Sequence, residues 1–150
     1  MLRLSRKAIL ALEAVVDIAS NSRPEPVQSK EITRRQGVPH RYLEQVMQAL
    51  VRSGVLKGVR GPRGGYRLAK ERRRISAGEI VRIVAELEIA DEPPLAQSSP
   101  IGDLIVRPVV ADVHDELMRR LDAISVEDLC RRAEEKGLAE PIGERADFAI

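Results

Sequence analysis

Apolar residues recur every three or four positions along most of residues 1–88, which is the spacing of amphipathic helices. A serine precedes three of these stretches, and a serine side chain can cap the first turn of a helix. We take Ser5, Ser29 and Ser76 as those caps, the last with Glu79 as a capping box. The pattern predicts helices over about residues 5–20, 29–36, 39–53 and 76–88.

Between the third and fourth of these helices, the pattern changes to the alternation that is typical of short strands. Two strands are predicted, near residues 55–60 and 65–69, and the sequence Gly-Pro-Arg-Gly-Gly joins them. The two adjacent glycines of that run permit the positive φ angles that a hairpin turn needs. Tyr66 and Leu68 alternate with Arg67, so one face of the second strand should pack and the other should carry charge.

Beyond the fourth helix, residues 89–102 are rich in Pro and Ser and are predicted to form a loop. A long helix follows at about 103–123, although Pro108 can delay its start. Its apolar residues are spaced by three or four, apart from an interruption at Arg120, and form a seam for another helix, which a second copy of the chain can supply. The seam consists of Val106, Val110, Val113, Leu117 and Ile124.

Two helices joined at a glycine and followed by a hairpin have the order of a winged helix–turn–helix domain. A last short helix starts at a capping box of Ser125 and Asp128 and ends at Lys136 and Gly137. The predicted fold class is therefore mainly α with a small β-hairpin wing, plus a long C-terminal dimerisation helix. The predicted division is a DNA-binding domain at 1–88, a loop at 89–102, dimerisation helices at 103–137 and a disordered tail at 138–150.

The composition is that of an ordinary soluble protein with an aliphatic core, because 43 % of the 150 residues are apolar and there is no Trp, one Phe and two Tyr. The sequence contains neither a signal peptide nor a run long enough to span a membrane, so we expect a cytoplasmic protein with no membrane partner. The single cysteine, Cys130, excludes an intrachain disulfide framework and a multi-cysteine metal site within one chain.

The net charge of +2 hides a strong asymmetry along the chain. Residues 1–80 hold 17 Lys and Arg against 7 Asp and Glu, a net charge of +10, whereas residues 81–150 hold 8 against 16, a net charge of −8. A basic head on an acidic body favours a protein whose head binds a polyanion. The glycines of the hairpin do not form a nucleotide-binding loop, because no GxxxxGK[ST] pattern is present.

The helix after Gly37 has the pattern of a DNA recognition helix, because polar residues at its start point away from its apolar stripe. Arg, Gln and Glu side chains can pair with base edges in the major groove. The predicted reading residues are His40, Arg41, Tyr42, Glu44 and Gln45, with Gln48 one turn further on.

Basic residues on both sides of this helix are suited to the DNA backbone and the minor groove. The preceding helix contributes Ser29, Lys30, Arg34 and Arg35, and the hairpin contributes Arg60, Pro62, Arg63 and Arg67. The plainer interpretation is that all these residues are solvated polar groups on a surface helix pair and a surface hairpin.

Residues 42–70 closely resemble the wing segment of the Rrf-two family of bacterial transcriptional regulators. The match rests on Tyr42-Leu43-Glu44-Gln45, Leu50, Gly54, Arg60-Gly61-Pro62, Gly64-Gly65-Tyr66 and Leu68-Ala69. A weaker resemblance in helix order and length covers about residues 2–135. It implies a homodimeric winged helix–turn–helix repressor or activator, whose long helix crosses its twin and whose two heads read a partly palindromic operator in double-stranded DNA.

The resemblance also assigns residues to roles. It implies that Tyr42, Glu44 and Gln45 lie where the family reads bases, and that Arg60 and Pro62 lie where its wing enters the minor groove.

The sequence departs from the family in the region of its sensor. Many members carry three cysteines after the fourth helix, and these soft thiolates ligate an iron–sulfur cluster. Residues 88–107 contain no cysteine, and residues 1–12 offer no carboxylate or histidine of the kind that other members recruit. We therefore expect a member without a cluster or other cofactor. Cys130 is then either a small buried residue or a redox-active thiol beside Arg131 and Arg132.

The favoured function is a DNA-binding regulator that represses by occluding a promoter. The alternative is a winged-helix protein–protein interaction module, since a basic wing can also dock an acidic partner. An enzyme is not expected, because the sequence shows no paired carboxylates and no nucleophile–base pair at usable spacing. Asp103, Asp112 and His114 do not converge on a metal site, and His114 should be a surface residue of the long helix.

Overall fold

The computed structural model describes residues 4–21, 25–91 and 97–139. Within these ranges lie six α-helices and one two-stranded antiparallel sheet, so the predicted fold class is confirmed. The elements are α1 (Arg6–Asn21), α2 (Ser29–Gln36), α3 (His40–Arg52), β1 (Leu56–Val59), β2 (Gly65–Leu68), α4 (Ala77–Asp91), α5 (Arg107–Asp122) and α6 (Val126–Glu135).

The core of the molecule is built around α1. Ala11, Ala14, Val15 and Ile18 of this helix are all 0 % exposed, and the helix packs against α3, α4 and α6. Small residues on α1 let its neighbours approach closely, while larger aliphatic side chains from those neighbours fill the space between the helices. The core is therefore aliphatic, as the shortage of aromatic residues requires.

The helix starts predicted at Ser5, Ser76 and Ser125 are confirmed. Ser5 Oγ and Ser76 Oγ each accept a hydrogen bond from the backbone N–H three residues further on, at 3.1 and 3.0 Å. Ser125 Oγ accepts from the Asp128 N–H at 3.0 Å, and the Asp128 carboxylate accepts from the Ser125 N–H at 2.9 Å. These bonds satisfy N–H groups that the helix itself leaves without acceptors.

The predicted cap at Ser29 is wrong. Gln28 is the N-cap residue of α2, in extended conformation, and its N–H donates to Glu31 Oε2 at 3.2 Å. Ser29 is instead the first residue of the helix. Of the box predicted at Ser76, the hydrogen bonds of the described residues include only the one to Ser76 Oγ, and the carboxylate of Glu79 binds Lys70 Nζ at 2.6 Å.

The long C-terminal helix begins earlier than the sequence predicted. Residues 100–122 are continuously helical, and Ser99 Oγ caps them by accepting the Gly102 N–H at 3.0 Å. Pro108 lies inside the helix, where its ring lacks the N–H that would bind the carbonyl of residue 104. A widened π-helical turn at Gly102–Val106 accommodates the ring, so Pro108 alters the winding of the helix and leaves its start in place.

The loop predicted at 89–102 is correspondingly shorter. The helix α4 continues to Asp91, and helical structure resumes at residue 100. Residues 92–96 of the predicted loop and residues 140–150, which make up most of the predicted tail, lie outside the described residues.

The C-terminal end of α5 is fixed on the start of α4. Arg82 of α4 binds the Asp122 carboxylate with two guanidinium nitrogens, with Nη2 lying 2.7 Å from Oδ2. Gly78 lies directly against the same carboxylate, where a Cβ atom would overlap its oxygen. The neighbouring Met118 packs into the core. The end of the long helix is therefore held firmly against the rest of the molecule.

The short helix α6 packs against α1 and shares its core, since Val126 and Cys130 are buried there. The division of the chain at residues 88 and 103 stays a prediction. No helix in the described part of the chain has both the length and the apolar character to span a bilayer.

Candidate nucleic-acid interface

The helix α3 has one buried face and one exposed face. Its inner residues Leu43, Val46, Met47 and Leu50 are 0 % exposed, which fixes the orientation of the helix in the fold. Its outer face is polar and accessible along its whole length. The exposed residues on this face are His40, Arg41, Tyr42, Glu44, Gln45 and Gln48. The residues predicted to read bases therefore share one exposed helix surface, and their contact with bases stays a prediction.

The turn between α2 and α3 is formed by Gly37, which adopts a left-handed φ of 65°. Its N–H donates to the Thr33 carbonyl at 2.9 Å and closes α2. Lys30 and Arg34 are exposed on α2, whereas Ser29 at its start is half-buried. The exposure of Lys30 and Arg34 is compatible with the predicted phosphate contacts, which stay a prediction.

Arg35 is already engaged by a carboxylate. Its Nε donates to Asp17 Oδ2 at 2.9 Å and its Nη2 donates to Asp17 Oδ1 at 2.7 Å. These hydrogen bonds to Asp17 raise the pKa of the Arg35 guanidinium above its ordinary value. The Nε–Nη2 edge of the Arg35 guanidinium is therefore occupied by a bidentate partner inside the protein, although the residue is exposed, and its contact with a phosphate stays a prediction.

The tip of the wing is a turn of Gly61, Pro62, Arg63 and Gly64, in which the Gly64 N–H donates to the Gly61 carbonyl at 2.9 Å. The positive φ angle of this turn, 116°, belongs to Gly61. The predicted positive φ angles at the adjacent pair Gly64 and Gly65 are therefore wrong. Arg60, Pro62 and Arg63 are exposed at this tip. Arg63 lies 3.9 Å from Glu25, but both side chains are so exposed that the pair holds neither of them firmly.

The wing is attached to the start of α2. The N–H of Val27 donates to the Tyr66 carbonyl at 3.0 Å, and the N–H of Tyr66 donates to the Val27 carbonyl at 2.7 Å. An open groove of about 460 Å³ lies between the wing and α2, with Lys30 on one side and Arg60 on the other. The sequence did not reveal this attachment, which sets the position of the wing relative to the helix–turn–helix.

Arg67 and Lys57 are direct cross-strand partners in the hairpin. Arg67 is half-buried, although the sequence placed it on a fully charged face. Tyr66 and Leu68 pack against the core, as predicted.

The sequence model of the family described as "Rrf2: Iron-dependent Transcriptional regulator" matches residues 4–132. The chain belongs to the Rrf2 family. This Rrf2 protein is 32 % identical over 134 residues to the HTH-type transcriptional regulator IscR of Xenorhabdus nematophila, a match that covers 89 % of this chain and 82 % of that protein. Over 85 residues it is 41 % identical to IscR of Escherichia coli O1:K1, which covers 57 % of this chain and 52 % of that protein.

Solved structures lead to the same family. The structure of T. potens IscR superposes with a TM-score of 0.71 at 33 % identity, covering 93 % of this chain and 94 % of that one. The structure of CymR, the global cysteine regulator of B. subtilis, gives a TM-score of 0.68 at 30 % identity, covering 88 % of this chain and 98 % of that one. This Rrf2 protein is therefore a DNA-binding transcriptional regulator with a winged-helix fold.

The residues of this Rrf2 protein do not fit an iron–sulfur cluster. Cluster ligation relies on several soft thiolates, and the sequence holds one cysteine, on α6. Cys130 is 1 % exposed, and its sulfur accepts a hydrogen bond from Ser20 Oγ at 3.6 Å. In residues 4–21, 25–91 and 97–139, no three His, Cys, Asp or Glu side chains are grouped so that they could hold a metal ion. His114 is exposed on α5, as predicted.

The environment of Cys130 is that of a packing residue. The thiol faces the core cluster and Ser20, while Arg131 is exposed and lies 3.6 Å from the carboxylate of Asp128. The arginines that could have activated the thiol are therefore directed to solvent. Burial favours the structural alternative for Cys130 over the redox-active one.

Proposed function

We propose that this Rrf2 protein is a cytoplasmic repressor that binds a partly palindromic operator as a homodimer and works without an iron–sulfur cluster. The observation that carries the homodimer is an apolar surface on the first half of the long helix. Seven large apolar side chains there are 45–73 % exposed. They are Ile101, Leu104, Ile105, Val106, Val109, Val110 and Val113.

A single helix seldom exposes so continuous an apolar stripe to water, because such patches mark interaction surfaces. A second copy of the same helix offers a matching stripe, and a two-fold axis between the copies closes the assembly. The opposite end of the helix is fixed to α4 by Arg82 and Asp122. Pairing of two such helices would therefore give the two heads a defined separation, which a palindromic operator requires.

The proposed reading surface consists of three parts. The outer face of α3 would enter the major groove with Arg41, Tyr42, Glu44 and Gln45. Lys30 and Arg34 of α2 would bind phosphates, and the wing tip with Arg60 would reach the minor groove. Support comes from the exposure of these side chains and from the net charge of +10 on residues 1–80.

The experiment that tests this function is selection of bound sequences from a random duplex pool, followed by sedimentation of the complex. We expect inverted half-sites separated by one helical turn, about 34–36 Å, or a multiple of it. Val110→Asp should give a monomer that no longer binds the selected duplex, whereas Ala111→Asp, at an exposed position on the side of the same helix that is turned away from the stripe, should leave the dimer intact. A monomeric wild type that selects a single undivided site would refute the dimer.

The protein–protein interaction module is not favoured, because the relatives are named transcriptional regulators. The same relatives support our expectation that this chain has no enzymatic activity. If the pool selection recovers no preferred sequence, and Gln45→Ala and Arg60→Ala bind duplexes as the wild type does, then the proposed reading surface is wrong.

A further inference from the structure

A buried carboxylate joins the central helix to the DNA-binding head. The side chain of Asp17 on α1 is 1 % exposed, and an ionised carboxylate is stable at such a site only when donors surround it. Arg35 supplies two donors, and Gln36 Nε2 supplies a third to Oδ2 at 2.8 Å. All three donors come from two consecutive residues of α2, so the carboxylate binds that helix at a single place.

That point is the last turn of α2. Gln36 directly precedes Gly37, whose left-handed backbone turns the chain towards α3. The recognition helix then begins only three residues after Gly37, at His40. Any rotation of the last turn of α2 would therefore change the direction in which the outer face of α3 points.

The two adjacent arginines of α2, Arg34 and Arg35, have different surroundings. Both residues are exposed, but Arg34 forms no ion pair among the described residues, whereas Arg35 donates to the Asp17 carboxylate with Nε and Nη2. The two adjacent arginines of α2 therefore differ in their partners, because only the guanidinium of Arg35 binds α1.

We propose that Asp17 is a positioning residue for DNA recognition: through Arg35 and Gln36 it fixes the turn between α2 and α3, and Arg35 contributes no phosphate contact. The proposal rests on the proposed reading surface of α3. The proposal predicts a change in DNA affinity that is opposite to the change expected from charge alone. Removal of an acidic residue from a basic head should strengthen DNA binding by simple electrostatics, whereas loss of a positioning carboxylate should weaken binding to the specific duplex.

The test compares Asp17→Asn, Arg35→Gln and the double variant with Arg34→Gln as the matched control. Affinities for the selected duplex and for an unrelated duplex are measured over a range of salt concentrations. Amide hydrogen exchange of Gly37, whose N–H donates to the Thr33 carbonyl, and of Val38 is measured without DNA, so that the turn is observed independently of binding.

We expect Asp17→Asn and Arg35→Gln each to weaken binding to the selected duplex about tenfold, with an unchanged dependence on salt and faster exchange in the turn. The double variant should lose little more than either single variant, because both changes remove the same interaction. Arg34→Gln should lower the salt dependence by about one phosphate contact on both duplexes and leave exchange in the turn unchanged.

If the neutral variants fold poorly, Arg35→Lys replaces them in the test, because lysine keeps the positive charge and loses the bidentate geometry. Arg35→Lys should bind the selected duplex more weakly than the wild type, by a smaller factor than Arg35→Gln, and its salt dependence should equal that of the wild type. A drop in salt dependence for Arg35→Gln equal to that of Arg34→Gln would make Arg35 a phosphate ligand and overturn the proposal. Wild-type affinity and wild-type exchange in Asp17→Asn would overturn it as well.

The two proposals fail in different ways. If Arg34→Gln and Gln45→Ala bind as the wild type does while Asp17→Asn still accelerates exchange in the turn, the reading surface is wrong and the positioning role of Asp17 stands.

Discussion

The attachment of the wing to the start of α2 depends on the absence of a side chain at Gly65. A Cβ atom at this position would overlap the carbonyl oxygen and carbon of Val27. The φ angle of Gly65 is not in the left-handed region, so an alanine there suffers no backbone strain. Gly65→Ala therefore tests one thing, the close approach of the wing to Val27.

The cost of this substitution follows from the bonds that it must break. The Val27–Tyr66 bridge has two backbone hydrogen bonds, of 3.0 and 2.7 Å, beside a Val27 side chain that is 2 % exposed. At about 1 kcal/mol for each hydrogen bond, their loss lowers the free energy of unfolding by about 2 kcal/mol. For a chain of this length, that change corresponds to a decrease in Tm of about 4–8 °C. The displaced wing should also weaken DNA binding.

The measurements are urea unfolding and titration of the selected duplex at two salt concentrations. Gly58→Ala is the matched control, because it lies in the same hairpin, opposite Tyr66, and an added Cβ there has no atom within 4 Å. Gly58→Ala should unfold and bind DNA like the wild type. If Gly65→Ala and Gly58→Ala prove equally stable and bind DNA equally well, then the bridge to Val27 does not hold the wing and the reasoning is wrong.

Three further substitutions test other parts of the molecule. Arg60→Ala should weaken binding to specific and unrelated duplexes alike and lower the slope of log K against log salt by about one, measured by fluorescence anisotropy. Gly78→Ala should displace the Asp122 carboxylate and lower the free energy of unfolding by about 1–3 kcal/mol in chemical denaturation. The hydrogen bond from the backbone N–H of Ser125 lowers the pKa of Asp128 below its ordinary 3.8. Asp128→Asn should therefore be less stable than the wild type at neutral pH, and this difference should decrease as the pH falls through that lowered pKa, as measured by unfolding at a series of acid pH values.

The sequence predicted those parts of the fold that depend on near neighbours. Ser5, Ser76 and Ser125 could be read as caps, because a cap is a contact between residues three positions apart. The buried face of α3 followed from its helical period in the same way. The chemistry of the exposed face of α3 is likewise local, which is why the candidate reading residues could be named before the fold was known.

Features that combine two competing local signals were harder to predict. Gln28 and Ser29 can both cap α2, and only the extended backbone of Gln28 decides between them. Pro108 can delay a helix or distort it, and here the distortion occurs because Ser99 and the following residues already favour helix. In each case the sequence contains both signals, but it does not show which of the two structures has the lower free energy.

The two arginines of α2 show why the remainder of the site needs the structure. Arg34 and Arg35 are identical in chemistry and adjacent in sequence, so composition and spacing assign both to the DNA backbone. Their separation depends on Asp17, which is 18 residues from Arg35 in the chain and 2.7 Å from it in the fold. We propose that this buried acid on a neighbouring helix decides which of the two arginines binds a phosphate. On this proposal, counting basic residues overestimates the phosphate contacts of such a head, and the measured salt dependence of binding should contain no contribution from Arg35.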